Sequence, residues 1–233
     1  MSTIVRVPHR TIGFVAVLAT LALSASITQA APPDRTYRVT IRNLMPAPAG
    51  GGQVLSPALV VVHDRSFDLW SVGSTAEAAV VDVAEQAQTA TGVAQYRSIG
   101  GVELATSEGS QIAGGQEYTF EITATGDARF LSLVSMLGNT NDAFTGLDAI
   151  HLTGATKEYR VFAYDAGSEV NDQLRASIPG PCCNGMTGAG TPESGTIQRH
   201  EGILANTGDL TPELWGWPVN QPVAVITVER IRE

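Results

Sequence analysis

Two stretches of this chain, Thr36–Arg42 and Glu117–Thr123, alternate apolar and polar residues one for one. That period of two is the signature of a half-buried β-strand with one wet face. Ala58–Val62, Phe130–Met136, Tyr159–Tyr164 and Val223–Val228 are more continuously apolar and read as central strands. The segments between them are rich in Gly, Pro, Asn and Asp, the residues of turns. No Gly-rich phosphate loop precedes a helix, and strands do not alternate with helices, so the expected fold is all-β: an antiparallel β-sandwich.

One helix interrupts the strands. Ser74-Thr75-Ala76-Glu77 has the spacing of a capping box, and Ala76, Val80, Val83, Ala84 and Ala87 then recur at helical spacing. This predicts one short capped helix lying with its apolar stripe against the sandwich. Ala47–Gln53 and Pro179–Ser194 have the composition of flexible connections or binding loops.

Residues 1–30 are laid out as a secretory signal peptide. Arg6 and Arg10 form the basic start, Ile12 to Leu23 the apolar centre, and Thr28-Gln29-Ala30 the small-residue end. The apolar run falls short of the roughly 20 residues that span a bilayer. The expected mature domain is therefore 31–233, without a transmembrane segment, and is secreted into the periplasm or beyond. The leader holds two of the 14 basic residues and none of the 23 acidic ones, so 12 basic residues face 23 acidic ones in the mature chain, a formal net charge of −11. Nucleic acid is excluded as a partner, because binding it needs basic side chains to displace counterions. The two cysteines, Cys182 and Cys183, are adjacent, so no bridge within the chain can tie distant segments together. Free thiols, a vicinal disulfide and an intermolecular link are the open readings for them.

Acidic residues gather after two of the apolar runs. Thr140-Asn141-Asp142-Ala143-Phe144 follows the first, and Tyr164-Asp165-Ala166-Gly167-Ser168-Glu169 closes the second. Carboxylates brought together from separate loops repel one another unless a cation lies between them, and hard cations such as Ca2+ take several oxygen ligands. Asp and Asn beside strands are also ordinary turn formers. The spacing does not match the single twelve-residue loop of an EF-hand. His63, His151 and His200 are too dispersed for a zinc signature, and no Gly-x-Ser-x-Gly elbow is present. Trp215-Gly216-Trp217-Pro218 either caps an open end of the sandwich or offers indoles to a ligand, while Trp70 reads as core.

In order along nearly the whole stretch after residue 30, several motifs resemble the spondin domain found at the front of F-spondin. They are Tyr37 to Leu44, Leu55-Ser56-Pro57 with Val62-His63, Gly73 to Glu77 with Ala84-Glu85, Ser135-Met136 leading to Asn141-Asp142-Ala143-Phe144, and Tyr164 to Glu169. The resemblance implies a sandwich similar to the calcium-dependent membrane-targeting domains of the protein-kinase-C type, with a calcium site at one end. Its metal ligands would fall on Asp142, Asp165 and Glu169. Glu169 stands where F-spondin has Asp, and its extra methylene still permits it to reach an ion. Further oxygens would come from Asn141, Asn171 or loop carbonyls.

The function expected on this basis is that of a secreted Ca2+-binding module for binding or adhesion, not a catalyst. Its partner would be an extracellular protein, a glycan or an anionic surface ligand. The alternatives are a secreted glycan-directed hydrolase, using Asp142, Asp165 or Glu169 as acid and base, and a metal-free structural surface protein.

Overall fold

The computed structural model describes residues 33–185 and 188–231, so the segment read as a signal peptide lies outside the described residues. In chain order the elements are β1 (Arg35–Asn43), β2 (Ala58–His63), α1 (Ala78–Gln86), α2 (Ala90–Tyr96), β3 (Val102–Glu108), β4 (Glu117–Ala124), β5 (Phe130–Met136), β6 (Ala143–His151), β7 (Lys157–Val161), β8 (Tyr164–Asp165), β9 (Gln198–Arg199), α3 (Pro212–Trp215) and β10 (Ala224–Arg230). They form two antiparallel sheets, one of four strands in the order β4-β1-β10-β7 and one of six in the order β3-β2-β5-β6-β8-β9. The expected all-β sandwich is present.

The two kinds of strand sequence sort by sheet. In β1, Val39 and Ile41 are buried while Arg38 and Arg42 are exposed, and β4 alternates likewise with Phe120 and Ile122 inside. These strands pair in the four-stranded sheet, whose outer face meets solvent. β2 is buried along its whole length. Val60 and Val62 point into the core between the sheets, whereas Leu59 and Val61 join a second apolar cluster with Val80, Val83, Ala84 and Tyr96 of the helices. A strand covered on both faces has no use for alternation, which explains its unbroken apolar run. Gly92 of α2 faces Leu59, and a Cβ there would lie 2.5 Å from Leu59 Cδ2, so the glycine lets the helix seat closely on the sheet.

Three details depart from expectation. The Tyr159–Tyr164 run is not one strand: β7 pairs with β10, and after Phe162 and Ala163 the chain continues as β8 in the other sheet. The helical content is three short helices among the described residues, and none has a side-chain cap. The predicted capping box does not form because Gly73 N–H donates to Ile197 O and Ile197 N–H donates to Ser74 O, holding residues 73 and 74 along neighbouring backbone. Ser74 Oγ therefore bonds Ser71 O at 2.6 Å, and Glu77 becomes the extended N-cap, its carboxylate accepting from Tyr96 Oη at 3.2 Å. The segment Ala47–Gln53, flexible by composition, is anchored at its end: buried Gln53 donates from Nε2 to Asn139 O and Trp215 O. Trp215 and Trp217 belong to the core between the sheets, and Trp70 packs on Phe144 in the helix-covered cluster.

Leu59→Ala removes a fully enclosed side chain beneath the helices and is expected to cost about 2–5 kcal/mol in urea denaturation. Val72, at 59% exposure, serves as the control, and Val72→Ala should change stability by no more than about 0.5 kcal/mol.

Candidate metal centre

The acidic loops meet because β6 and β8 pair, setting Ala143 opposite Asp165 and continuing as a bond from Ala166 N–H to Asp142 O. The turn before β6 is rigid. Thr140 Oγ1 donates to Leu137 O at 2.6 Å and accepts from Ala143 N–H at 3.1 Å, while Asn139 is bonded to Gly52, Gln53 and Cys182. Cys182 and Cys183 are joined in a vicinal disulfide. Residues 167–170 are covered by 191–195 through bonds from Val170 N–H to Thr191 O, Glu193 N–H to Ser168 O and Gly195 N–H to Gly167 O.

Asp142 is thereby enclosed at 0% exposure. Its Oδ2 accepts three bonds, from the backbone amides of Ser168 (2.8 Å) and Glu169 (3.0 Å) and from Ser168 Oγ (3.1 Å). Its Oδ1 is buried and has no partner. Asp165, also buried, takes Gly167 N–H on Oδ1 at 2.7 Å and Asn171 Nδ2 on Oδ2 at 2.8 Å. Gly167 has φ +71°, and a Cβ on it would lie 2.8 Å from the Gly195 carbonyl carbon, so the turn between the acids excludes any side chain.

The electrostatics of this group are unfavourable without a cation. Burial raises the Asp142 carboxyl to about 6, with the neighbouring Asp165 charge adding to the rise against three donated hydrogen bonds. Glu169 rises to about 7 from burial first and then from the charges of Glu85 and Asp142. Among the described residues the ion pairs are Arg38–Glu121, Arg38–Glu229 and Arg160–Glu158, so no Lys or Arg is paired with this cluster. A polar cavity of about 330 Å³, lined by Asp165, Asn171, Glu193, Arg199 and Glu201 among others, adjoins the group from outside.

Asp142 and Asp165 thus lie close enough for each charge to act on the other, and Glu169, whose backbone amide bonds Asp142, turns its carboxylate toward Gly190. Its carboxylate accepts the Gly190 amide and packs so closely on Gly190 that a Cβ there would overlap it. Among the described residues no three His, Cys, Asp or Glu side chains close around one point. Asn141 is committed elsewhere, donating to Asp172 and accepting from Gln173 N–H, while Asn171 serves Asp165 as a donor. Sequence reasoning missed Ser168, Glu85 and Gly190, whose roles come from loop packing that no local pattern records. Of the histidines, His63 is buried, with Nδ1 on Asp64 O and Nε2 on Ser132 Oγ, and His200 contacts Asn171 rather than Glu201.

The fold is thus a two-sheet antiparallel β-sandwich with a buried carboxylate pair, Asp142 and Asp165, at one end. The Spondin_N family matches residues 47–172, more than half of the 233, and the chain belongs to that family, whose domains are typically extracellular binding modules. The matched stretch includes Asp142, Asp165 and Glu169. No curated protein matches the sequence. Among the described residues no helix is long and apolar enough to cross a membrane.

Gly167→Ala is expected to destabilise the domain by about 1–3 kcal/mol in urea denaturation, from its left-handed backbone alone. The raised Glu169 pKa sets a pH test. A carboxyl whose folded pKa lies above its unfolded value of about 4.3 favours folding below that value and loses the contribution as pH rises through about 7. In chelator, the melting temperature of Glu169→Gln should therefore gain on that of the wild type between pH 5 and pH 8.

Proposed function

We propose that this domain is a secreted calcium-binding module, its acidic end holding Ca2+ through Asp142 and Asp165, with Glu169 as a third ligand, and so presenting a surface to an extracellular protein, glycan or anionic ligand. The observation that carries the reading is Asp142 Oδ1: a carboxylate oxygen fully enclosed, without a hydrogen-bond donor, beside a second buried carboxylate. Buried charges are normally paired or coordinate a metal, and this one has no paired base. Its complete enclosure also suits an ion better than a polymeric substrate as its partner.

The donor set fits a hard cation. The free acceptors of Asp142, Asp165 and Glu169 are all carboxylate oxygens, the ligand type a hard cation takes. Asp165 has lone pairs left after its two accepted bonds. Glu169 likewise keeps lone pairs beyond the one that accepts the Gly190 amide, and its contact with Gly190 makes it the weaker contributor. When bound, the ion neutralises the repulsion between the loops after β5 and β8. The chain itself supplies the rigid Thr140 turn, the Gly167 turn and the three donors that orient Asp142.

A ligand present at 100 times its Kd stabilises a fold by about 2.7 kcal/mol. The melting temperature should accordingly rise by several degrees between chelator and millimolar Ca2+. Asp142→Asn and Asp165→Asn should abolish the rise, and Glu169→Gln should reduce it. An identical wild-type melt in calcium and in chelator overturns the proposal.

A further inference from the structure

Three hydrogen bonds run in series from the C-terminal part of the chain into the acidic group. The Gly202 amide donates to Nδ1 of His200 at 2.9 Å. A ring nitrogen that accepts carries no proton, so the imidazole proton sits on Nε2, which lies 3.2 Å from Oδ1 of Asn171. With its oxygen so engaged, the Asn171 carboxamide turns Nδ2 to Oδ2 of Asp165 at 2.8 Å. The direction of the series is fixed at both ends, because a backbone amide only donates and a carboxylate only accepts.

The fold invests heavily in this ring. His200 is 5% exposed, its own N–H is bound to Ala163 O at 3.1 Å, and its imidazole packs on Trp217 with centroids 5.3 Å apart. Gly202 has φ +88°, the left-handed turn that brings its amide back onto the ring two residues earlier. An apolar side chain could fill the same space without needing two bonding partners. The polar ring earns its place only through what it orients.

We propose that His200 is a positioning residue of the cation site: it fixes the Asn171 amide, and through it the rotamer of the Asp165 carboxylate. The inference rests on the calcium reading above. Without the Asn171 donor, the Asp165 carboxylate is held only by Gly167 N–H and is free to swing away from the like charge of Asp142. Groups hydrogen-bonded to a metal ligand, as Asn171 is to Asp165, typically govern metal affinity by 10- to 100-fold, and His200 acts through that group, so an effect of up to about this size is expected here.

The test is calorimetric titration of Ca2+ into the wild type, His200→Asn, His200→Gln, Asn171→Leu and the double variant His200→Asn with Asn171→Leu. Asn at position 200 reaches only the Nδ1 position and lacks the donor to Asn171, so affinity should fall by up to about 10- to 100-fold. Gln carries an N–H at the Nε2 position and should recover most of that loss, a split that a purely space-filling role does not give. Asn171→Leu cuts the series at a partly exposed residue and should weaken binding as His200→Asn does, and the double variant should lose nothing further. Should His200→Asn fail to fold, Asn171→Leu with wild-type affinity still overturns the inference. It also falls if the Asn and Gln variants lose affinity equally, or if the two losses add. A wild type that takes up no Ca2+ removes both the function and this inference, whereas normal wild-type binding with an unaffected His200→Asn removes this inference alone.

Discussion

The short pairing of β8 with β6 governs where the carboxylates of Asp142 and Asp165 lie. Two residues of ladder put Ala143 against Asp165 and Phe144 against Tyr164. From that register follow the burial of Asp142, its capture by the amides of Ser168 and Glu169, and its nearness to Asp165. A slip of one residue would reverse which side chains face inward and scatter the carboxylates. The aromatic residues beside the ladder secure it, since Trp70 packs on both Phe144 and Tyr164 with centroids 5.1 and 4.8 Å away.

Around that ladder the chain brings together groups that water would otherwise keep apart. The enclosed carboxylates cost free energy in the absence of a cation, and the surrounding structure is stiff enough to bear it. Thr140 closes one turn, Gly167 the other, and residues 191–195 cover the acidic loop with backbone bonds. The two buried carboxylates are thereby held near one another by hydrogen bonds from both turns despite their like charge.

Much of the sandwich was legible from hydrophobic period alone. β1, β4 and β5 announce themselves, and the continuous runs of β2 and β5 mark strands buried on both faces. β3 and β6 carry weaker signals, because charged and polar residues such as Glu103 and Asp148 break their pattern. The capping box at Ser74 failed through a tertiary effect: pairing with Ile197, over a hundred residues on, outweighs a local cap. At the site, the placing of Asp142 just before β6 and of Asp165 at the end of β8 follows the apolar runs that the sequence displays. That of Ser168, Gly190 and His200 does not, because their partners are set by how the long loop after β8 folds back, which sequence spacing does not encode.

The crossing between layers at Phe162 and Ala163 has a bearing on how the domain comes apart. Only these two residues separate β7 in the smaller sheet from β8 in the larger, and both are fastened: Phe162 O accepts from Thr145 Oγ1 and Ala163 O from the His200 amide. So short a stitch leaves neither layer any slack to peel off by itself. Separating the two sheets therefore pulls directly on the β6–β8 ladder that sets the acidic end.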